Sequence, residues 1–323
     1  MAKAKKNNTK KMGRKYVLII AGLIALTAVF FIRNKKSTKT PVSVFKIGAA
    51  DKCRHNPAFI PKVGLKEPVM IDFRQKEVSG FQLIEAKKDG KVVRMPSWDD
   101  AGHLGPYTVD EHGNIFTAPV PYVSIFENPP AEQNKIYKVN TNDGKMKEFM
   151  ALTDETPNND NPFGVMGIAY DCDVHALYAT SIAGSTMKAQ KGIIYKINPK
   201  TREIMAKLEG FDAIGIGIYN TVNGKKLFLG AARTPEIFSV TLDEKGNFVG
   251  RPTFEFSLAA LEGGSYDNAH RIRFLKDDEM EIKAIEFSYS LIASSDPLRN
   301  IYKFTYDKES DTWNNISIEK QQN

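Results

Sequence analysis

Short segments in which apolar and polar residues alternate recur along this chain. The segment Ile-Tyr-Lys-Val-Asn at residues 136–140 returns as Ile-Tyr-Lys-Ile-Asn at 194–198, and more loosely at 237–241 and 301–305. Such alternation, rich in β-branched and aromatic residues, is typical of a half-buried strand. Turn residues (Asp, Asn, Gly or Pro) follow each copy within a few positions. A strand that recurs about every 45–60 residues predicts the blades of a β-propeller.

Further strands precede each copy in the same order. A second strand is predicted at residues 115–118, 177–180, 227–230 and 285–288. A third strand, which ends in a polar turn, precedes three of these at residues 105–114, 167–173 and 217–224. Three antiparallel strands joined by tight turns make most of a blade. A β-sandwich is the alternative, and the ordered recurrence of all three strands favours the propeller.

The number of blades is less directly readable than the blade pattern. Residues 81–86 and 90–94 predict an earlier unit with the same order, so that five units are visible. The region after residue 50, divided by a typical length of about 45 residues per blade, gives about six. The sequence therefore predicts an all-β fold, a six-bladed β-propeller over residues 63–323, and five or seven blades also fit.

Two neighbouring segments resemble the blades of a known group of propellers. Met-Gly-Ile-Ala-Tyr-Asp at 166–171 is followed by Ala-Leu-Tyr-Ala at 176–179, and Thr-Val-Asp-Glu-His-Gly-Asn-Ile-Phe stands at 108–116. These motifs resemble NHL-repeat and SMP-30/gluconolactonase-like propellers. The resemblance covers roughly residues 63–318, and its motifs specify the fold much better than the function.

The N-terminal region predicts a membrane anchor. Basic residues precede an apolar run at residues 16–32, and they are Lys3, Lys5, Lys6, Lys10, Lys11, Arg14 and Lys15. A run of this length is near the lower limit for a helix that spans a bilayer. A signal peptide is the alternative, but Leu26 occupies a position where its cleavage site would need a small residue. We therefore expect a basic cytoplasmic tail (1–15), a transmembrane helix (16–32), a tether (33–62) and an extracytoplasmic propeller, periplasmic or extracellular.

The distribution of charge along the chain does not indicate a nucleic-acid-binding protein. The net charge is +7, but residues 1–40 hold eleven of the 45 Lys and Arg residues and no acid, which leaves 34 basic against 38 acidic residues in the remainder. The basic excess belongs to the tail beside the membrane, where anionic lipid and topology explain it.

The two cysteines are candidates for a disulfide. Cys53 lies at the end of the predicted tether and Cys172 in a predicted blade turn. Because disulfides persist outside the cytoplasm, a bond between them is one expectation, and two unpaired thiols are the alternative.

Polar residues stand in the loops that lead into the predicted innermost strands, where propellers bind ligands. The candidate ligand-binding residues are Glu67, His103, Asp212, Asn268, His270 and Arg271. Glu67, Asp212 and Asn268 offer oxygen ligands for a divalent cation such as calcium. His103 and His270 are candidates for proton transfer near neutral pH. If the propeller has a functional site, we expect these side chains to face one mouth of the channel.

The resemblance to gluconolactonase-like enzymes implies a divalent metal held by a Glu, an Asn and an Asp at such positions. Glu67, before Pro68, matches the first of these ligands. The chain has Gly105-Pro106 where an Asp-Gly would be expected, and Val165-Met166 in place of an Asn. Phosphate-loop, zincin, serine-hydrolase and Cys-x-x-Cys motifs are not present.

These observations favour a membrane-anchored binding or scaffold module with a small-molecule or protein ligand at the propeller mouth. A metal-dependent lactone hydrolase of the SMP-30-like class is the alternative. Convergence of the oxygen ligands and a histidine on one mouth would favour the enzyme.

Overall fold

The computed structural model describes residues 44–73, 79–121, 130–276, 278–290 and 300–320. The strands, in chain order, are β1 Gly48–Ala49, β2 Val69–Asp72, β3 Gln82–Glu85, β4 Val92–Val93, β5 Leu104–Val109, β6 Ile115–Pro119, β7 Lys135–Val139, β8 Met146–Ala151, β9 Val165–Asp171, β10 Ala176–Ser181, β11 Ile193–Ile197, β12 Ile204–Glu209, β13 Ala213–Thr221, β14 Gly224–Ala231, β15 Glu236–Leu242, β16 Phe248–Ser257, β17 Asn268–Lys276, β18 Glu279–Ile285, β19 Asn300–Asp307 and β20 Thr312–Lys320. Short 3-10 helices lie at Pro61–Val63, Pro96–Trp98, Pro130–Glu132 and Leu258–Ala260.

The described strands form five antiparallel sheets, which are the blades of a β-propeller. Blade 1 contains β2–β4, blade 2 contains β5–β8, blade 3 contains β9–β12, blade 4 contains β13–β16 and blade 5 contains β17–β20. The recurring Ile-Tyr/Phe pattern is confirmed as the third strand of blades 2 to 5. In blade 5 the second strand ends at Ile285, so the prediction of a strand at 285–288 is wrong there.

The propeller is confirmed, and the preferred count of six blades is wrong because the strands of the described residues form five. The division by an average blade length assumed that all residues after position 50 belong to blades. Residues 50–62 form no blade, and the first strands of blades 2 to 5 begin at residues 104, 165, 213 and 268. Successive blades therefore begin more than about 45 residues apart, so that fewer blades fit in the chain.

Apolar side chains from neighbouring blades pack together and form the core. Between blades 3 and 4, for example, Tyr178 and Ile194 lie in one buried cluster with Leu227 and Val240. Similar clusters join blades 1 and 2, blades 2 and 3, and blades 4 and 5. Among the described residues, no such cluster and no shared strand joins blade 5 to blade 1.

Residues 45–60, which we call the strap, run along the propeller from blade 4 to blade 1. Strand β1 pairs with the end of β13, so that Gly48 faces Asn220. The strap then reaches blade 3, where the Cys172 N–H donates to Ala50 O at 2.8 Å. Beyond this, Phe59 is buried in the cluster shared by blades 1 and 2.

The strap falls within the predicted tether at residues 33–62. It is packed on the propeller, since Ala50, Phe59 and Ile60 are buried. The predicted cytoplasmic tail at 1–15 and transmembrane helix at 16–32 lie outside the described residues. Within the described part of the chain, no helix has the length and apolar character needed to cross a membrane.

Candidate functional site

The channel at the centre of the propeller contains a cavity of about 340 Å³. Its walls are the strap and the innermost strands β5, β9, β13 and β17. The lining residues are Asp51, Arg54, Pro106, Tyr107, Thr108, Met166, Gly167, Ile168, Ala169, Tyr170, Ile216, Gly217, Ile218, His270, Arg271, Ile272, Arg273, Phe274 and Leu275. This volume lies at the lower end of the range for small-molecule sites.

Glycines allow the innermost strands to come close enough to form this wall. An added Cβ on Gly215 of β13 would lie 2.3 Å from the Ala269 carbonyl oxygen of β17. One on Gly217 would lie 3.0 Å from the side chains of Ile272 and Phe274. Because Cβ atoms do not approach backbone oxygen so closely, β13 can lie against β17 only with glycine at position 215.

The lining of the cavity is positively charged. Three arginines, Arg54, Arg271 and Arg273, face it together with one carboxylate, that of Asp51. Arg54 forms an ion pair with the Asp51 carboxylate, and its Nε donates to Asp51 O at 3.0 Å. Arg271 reaches across the channel, so that its Nη2 lies 3.5 Å from Gly105 O in blade 2. An anion is therefore the complementary occupant.

His270 contributes no charge to the cavity at neutral pH. Burial, assisted by the positive charge of Arg271, lowers its pKa to about 3. The imidazole is therefore neutral near pH 7 and can exchange a hydrogen bond but does not titrate there. A pKa this low does not favour the expected role of His270 in proton transfer near neutral pH.

Two tyrosines, Tyr107 and Tyr170, also line the cavity. The ring of Tyr107 stacks on Phe73, which follows β2, with a centroid distance of 4.6 Å. Tyr170 donates to Glu111 Oε1 at 3.1 Å, and burial together with this carboxylate raises the pKa of Tyr170. The phenol of Tyr170 therefore remains protonated.

Asp212 does not face the cavity and is held inside the fold. Its Oδ1 accepts from Ser185 Oγ at 2.6 Å and from the Gly192 N–H at 2.8 Å. Its Oδ2 accepts from Arg233 Nε at 3.0 Å and from the Tyr289 hydroxyl at 2.5 Å. Both oxygens are thus hydrogen-bonded, and Asp212 connects blades 3, 4 and 5.

Asn268 has a similar structural role at the start of β17. Its amide nitrogen lies within 3.2 Å of the carbonyl oxygens of Ala231, Ala232 and Thr234 in blade 4. Its amide oxygen accepts from the Phe287 N–H at 3.2 Å. The hydrogen bonds of Asn268 therefore connect blade 5 to blade 4.

The remaining two predicted residues lie apart from the cavity lining. Glu67 is exposed in the loop before β2, and His103 is half-buried before β5, where its backbone bridges Gly80. The six predicted residues therefore do not form one site: only His270 and Arg271 line the cavity. Among the described residues, no group of three His, Cys, Asp or Glu side chains is placed to hold a metal ion.

The sequence reasoning missed Arg54 and Arg273. Arg54 stood in the predicted tether, and Arg273 read as an ordinary polar position of a strand. The spacing of Arg271 and Arg273 could have indicated that Arg273 belongs to the site. Residues two apart on a strand point to the same side, so Arg273 shares the side of the predicted residue Arg271.

The disulfide between Cys53 and Cys172 lies beside this site. The bond joins the strap to the turn between β9 and β10, with a Cα–Cα distance of 5.7 Å. Arg54 follows Cys53 directly, so the bond fixes the backbone next to a cavity residue.

Comparison with known proteins finds only distant similarities of structure. No protein-family profile and no curated protein matches the chain. A protein from Lactobacillus plantarum is similar in structure with a TM-score of 0.49 and 11% identity, over 79% of this chain and 69% of that one. A functionally unknown protein from Desulfotomaculum acetoxidans has a TM-score of 0.41 and 11% identity, over 78% and 67%. A glucose dehydrogenase has a TM-score of 0.38 and 13% identity, over 64% and 68%. At these values the likenesses carry no argument about activity.

Proposed function

We propose that this five-bladed propeller is a binding module whose central cavity binds a small anionic molecule. The observation that carries the proposal is the presence of three arginines and one aspartate around one cavity of about 340 Å³. Arginine presents a planar fork of donors that matches oxyanions and stays charged at all physiological pH values. The apolar residues of the same lining would accommodate the uncharged part of the ligand.

Binding is a better proposal than lactone hydrolysis. A metal-dependent lactonase would need oxygen ligands such as Glu67, Asp212 and Asn268 to share a cation, and of these only Glu67 matches a ligand that the resemblance to SMP-30-like enzymes implies. Both oxygens of Asp212 and the amide of Asn268 already bind protein groups, and Glu67 lies in an exposed loop. Asp212 and Asn268 would have to give up these hydrogen bonds in order to bind a metal.

Anion binding is tested by calorimetry on the purified full chain. We expect sulfate to bind and glucose not to bind at millimolar concentration. Replacing Arg271 by glutamine is expected to weaken sulfate binding roughly 10- to 100-fold, because a hydrogen bond to a charged group is lost. The matched control is Lys283→Gln, which removes a positive charge from the neighbouring strand outside the cavity, where Lys283 pairs with Glu281. Absence of sulfate binding, or an equal loss in the control, would contradict the proposal.

We further propose that the propeller lies outside the cytoplasm and is anchored by residues 16–32. The basic residues before position 16 support this topology. The disulfide between Cys53 and Cys172 supports an oxidising compartment, since such bonds are rare in the cytosol.

Protease added to spheroplasts that express the full chain tests the topology. The propeller is expected to be digested, or cut within its loops, while an epitope placed before residue 16 stays intact. Complete protection of the propeller with digestion of the epitope would reverse the proposed topology.

A further inference from the structure

Arg54 and Arg273 reach the cavity from two different elements of the fold. Arg54 belongs to the strap, whereas Arg273 belongs to β17 of blade 5, and both line the cavity. Burial lowers the pKa of the Arg54 guanidinium, and the positive charge of Arg273 is the second cause of this shift. Two like charges so arranged repel each other, and an anion between them would remove this repulsion.

The protein supplies little negative charge to these two groups. Asp51 pairs with Arg54. The Arg273 guanidinium forms no hydrogen bond or ion pair with any residue in the part of the chain that the structure describes, and Arg273 is exposed. The donors of Arg273 are therefore available to a ligand in the cavity.

We propose, on the basis of the proposed function, that the ligand is a phosphate monoester whose dianionic phosphate is bound between Arg54 and Arg273. A tetrahedral phosphate presents oxygens in several directions and can accept from two guanidinium forks on different walls. A carboxylate has two oxygens in one plane and satisfies one fork. The double negative charge of a dianion also matches the positive charges of two arginines better than the single charge of a monoanion does.

The rest of the cavity indicates that the phosphate carries an organic group. Tyr107, Ile168, Ile216 and Phe274 line the same space of about 340 Å³. Inorganic phosphate would leave these apolar surfaces without a partner. A ring or short hydrocarbon attached to the phosphate would cover them and gain from their burial.

The strap makes the site dependent on the disulfide. Arg54 directly follows Cys53, which is bonded to Cys172 of blade 3. Without this bond the backbone at position 54 would be held by weaker contacts, such as the one between His55 Nδ1 and Glu111 O at 2.6 Å. We therefore expect the loss of the disulfide to weaken phosphate binding in the same way as the loss of Arg54.

The test compares phenyl phosphate with phenyl sulfate, which have the same shape and differ by one charge. Calorimetry on the purified full chain at about pH 8, well above the second phosphate pKa of about 6, gives both affinities. Wild type is expected to bind phenyl phosphate roughly 10- to 100-fold more tightly than phenyl sulfate. Arg54→Gln and Arg273→Gln should each remove most of this preference, and Cys53→Ser with Cys172→Ser should behave like Arg54→Gln. Arg251→Gln, on the outer strand of blade 4, is the matched control and should change neither affinity.

The outcomes separate the two proposals. If neither probe binds to wild type, the proposed function fails. If both bind with equal affinity, anion binding stands and the dianion proposal is overturned. Inorganic phosphate that binds as tightly as phenyl phosphate would overturn the organic ester. Thermal unfolding of each variant shows whether a loss of binding reflects the site or the fold.

Discussion

Replacing Lys225 by methionine is expected to lower the free energy of unfolding by about 3–5 kcal/mol. Lys225 lies on β14 with no exposed side-chain surface, and Nζ lies 2.6 and 2.7 Å from the two carboxylate oxygens of Asp171. Asp173 Oδ2 lies 2.8 Å from the same nitrogen, and the ring of Phe45 in the strap covers it at 4.1 Å. The lysine thus joins blade 4, blade 3 and the strap.

The reason for this large effect is the carboxylate that would remain. Asp171 is also fully buried. Burial raises its pKa, and Lys225 opposes that rise through its charge and hydrogen bonds. Methionine would fill much of the space of the lysine but would leave the Asp171 carboxylate without its cation. Asp171 would then have to remain charged in the interior or take up a proton, and both are unfavourable.

Urea unfolding followed by circular dichroism measures this change, and two further variants control it. Lys303→Met removes a lysine whose pair with Glu319 is partly exposed, at 29% and 53% of the side-chain surfaces, and should cost at most about 1 kcal/mol. The double variant with Lys225→Met and Asp171→Asn should be more stable than Lys225→Met alone. A loss in Lys225→Met no larger than in Lys303→Met would show that the buried cluster does not stabilise the fold as argued.

Removal of the disulfide is expected to lower the free energy of unfolding by about 2–5 kcal/mol. The bond between Cys53 and Cys172 closes a loop with a sequence separation of 119. A bond over so long a loop restricts the unfolded chain strongly, and the entropic model places such loops near the upper end of this range. The loop contains blades 1 and 2 and the first strand of blade 3, so its effect is not confined to the strap.

The variant with serine at positions 53 and 172 tests this expectation in urea. Its transition midpoint should fall, and the urea dependence should steepen because the unfolded chain becomes more extended. Wild-type protein treated with a reductant is the second sample in this experiment, since the reductant breaks the disulfide without replacing either cysteine. A reduced wild type that keeps its midpoint while the serine variant loses stability would assign the loss to the serines instead of the bond.

The blade pattern was readable in the sequence because it is local. Residues 136–140, 194–198, 237–241 and 301–305 coincide with the third strands of blades 2 to 5, and most of their apolar side chains are buried. The signal lies within each strand and does not depend on distant contacts. The blade count was not readable in the same way, because it depends on how residues between the repeats are used. The strap contains apolar residues that would fit a strand, and only its contacts with β13 and with Cys172 show that it lies across blades.

The candidate site was only partly readable, for a related reason. Asp212 and Asn268 are polar residues before innermost strands, and the sequence cannot tell a ligand from a group that binds neighbouring backbone. In the fold both hold adjacent blades together. Arg54 became a site residue only through the strap, so its role depends on contacts between distant parts of the chain.

The strap also has a consequence for the order in which the ring is assembled. Its Lys46 carbonyl accepts from Asn220, 174 positions later in the chain. During synthesis the strap therefore leaves the ribosome long before its partner strand exists, and the entropy of closing so long a loop opposes early pairing. Until β13 has formed, strand β1 of the strap has no strand with which to pair. The strap is thus made before every blade of the propeller and is among the last segments to reach its place.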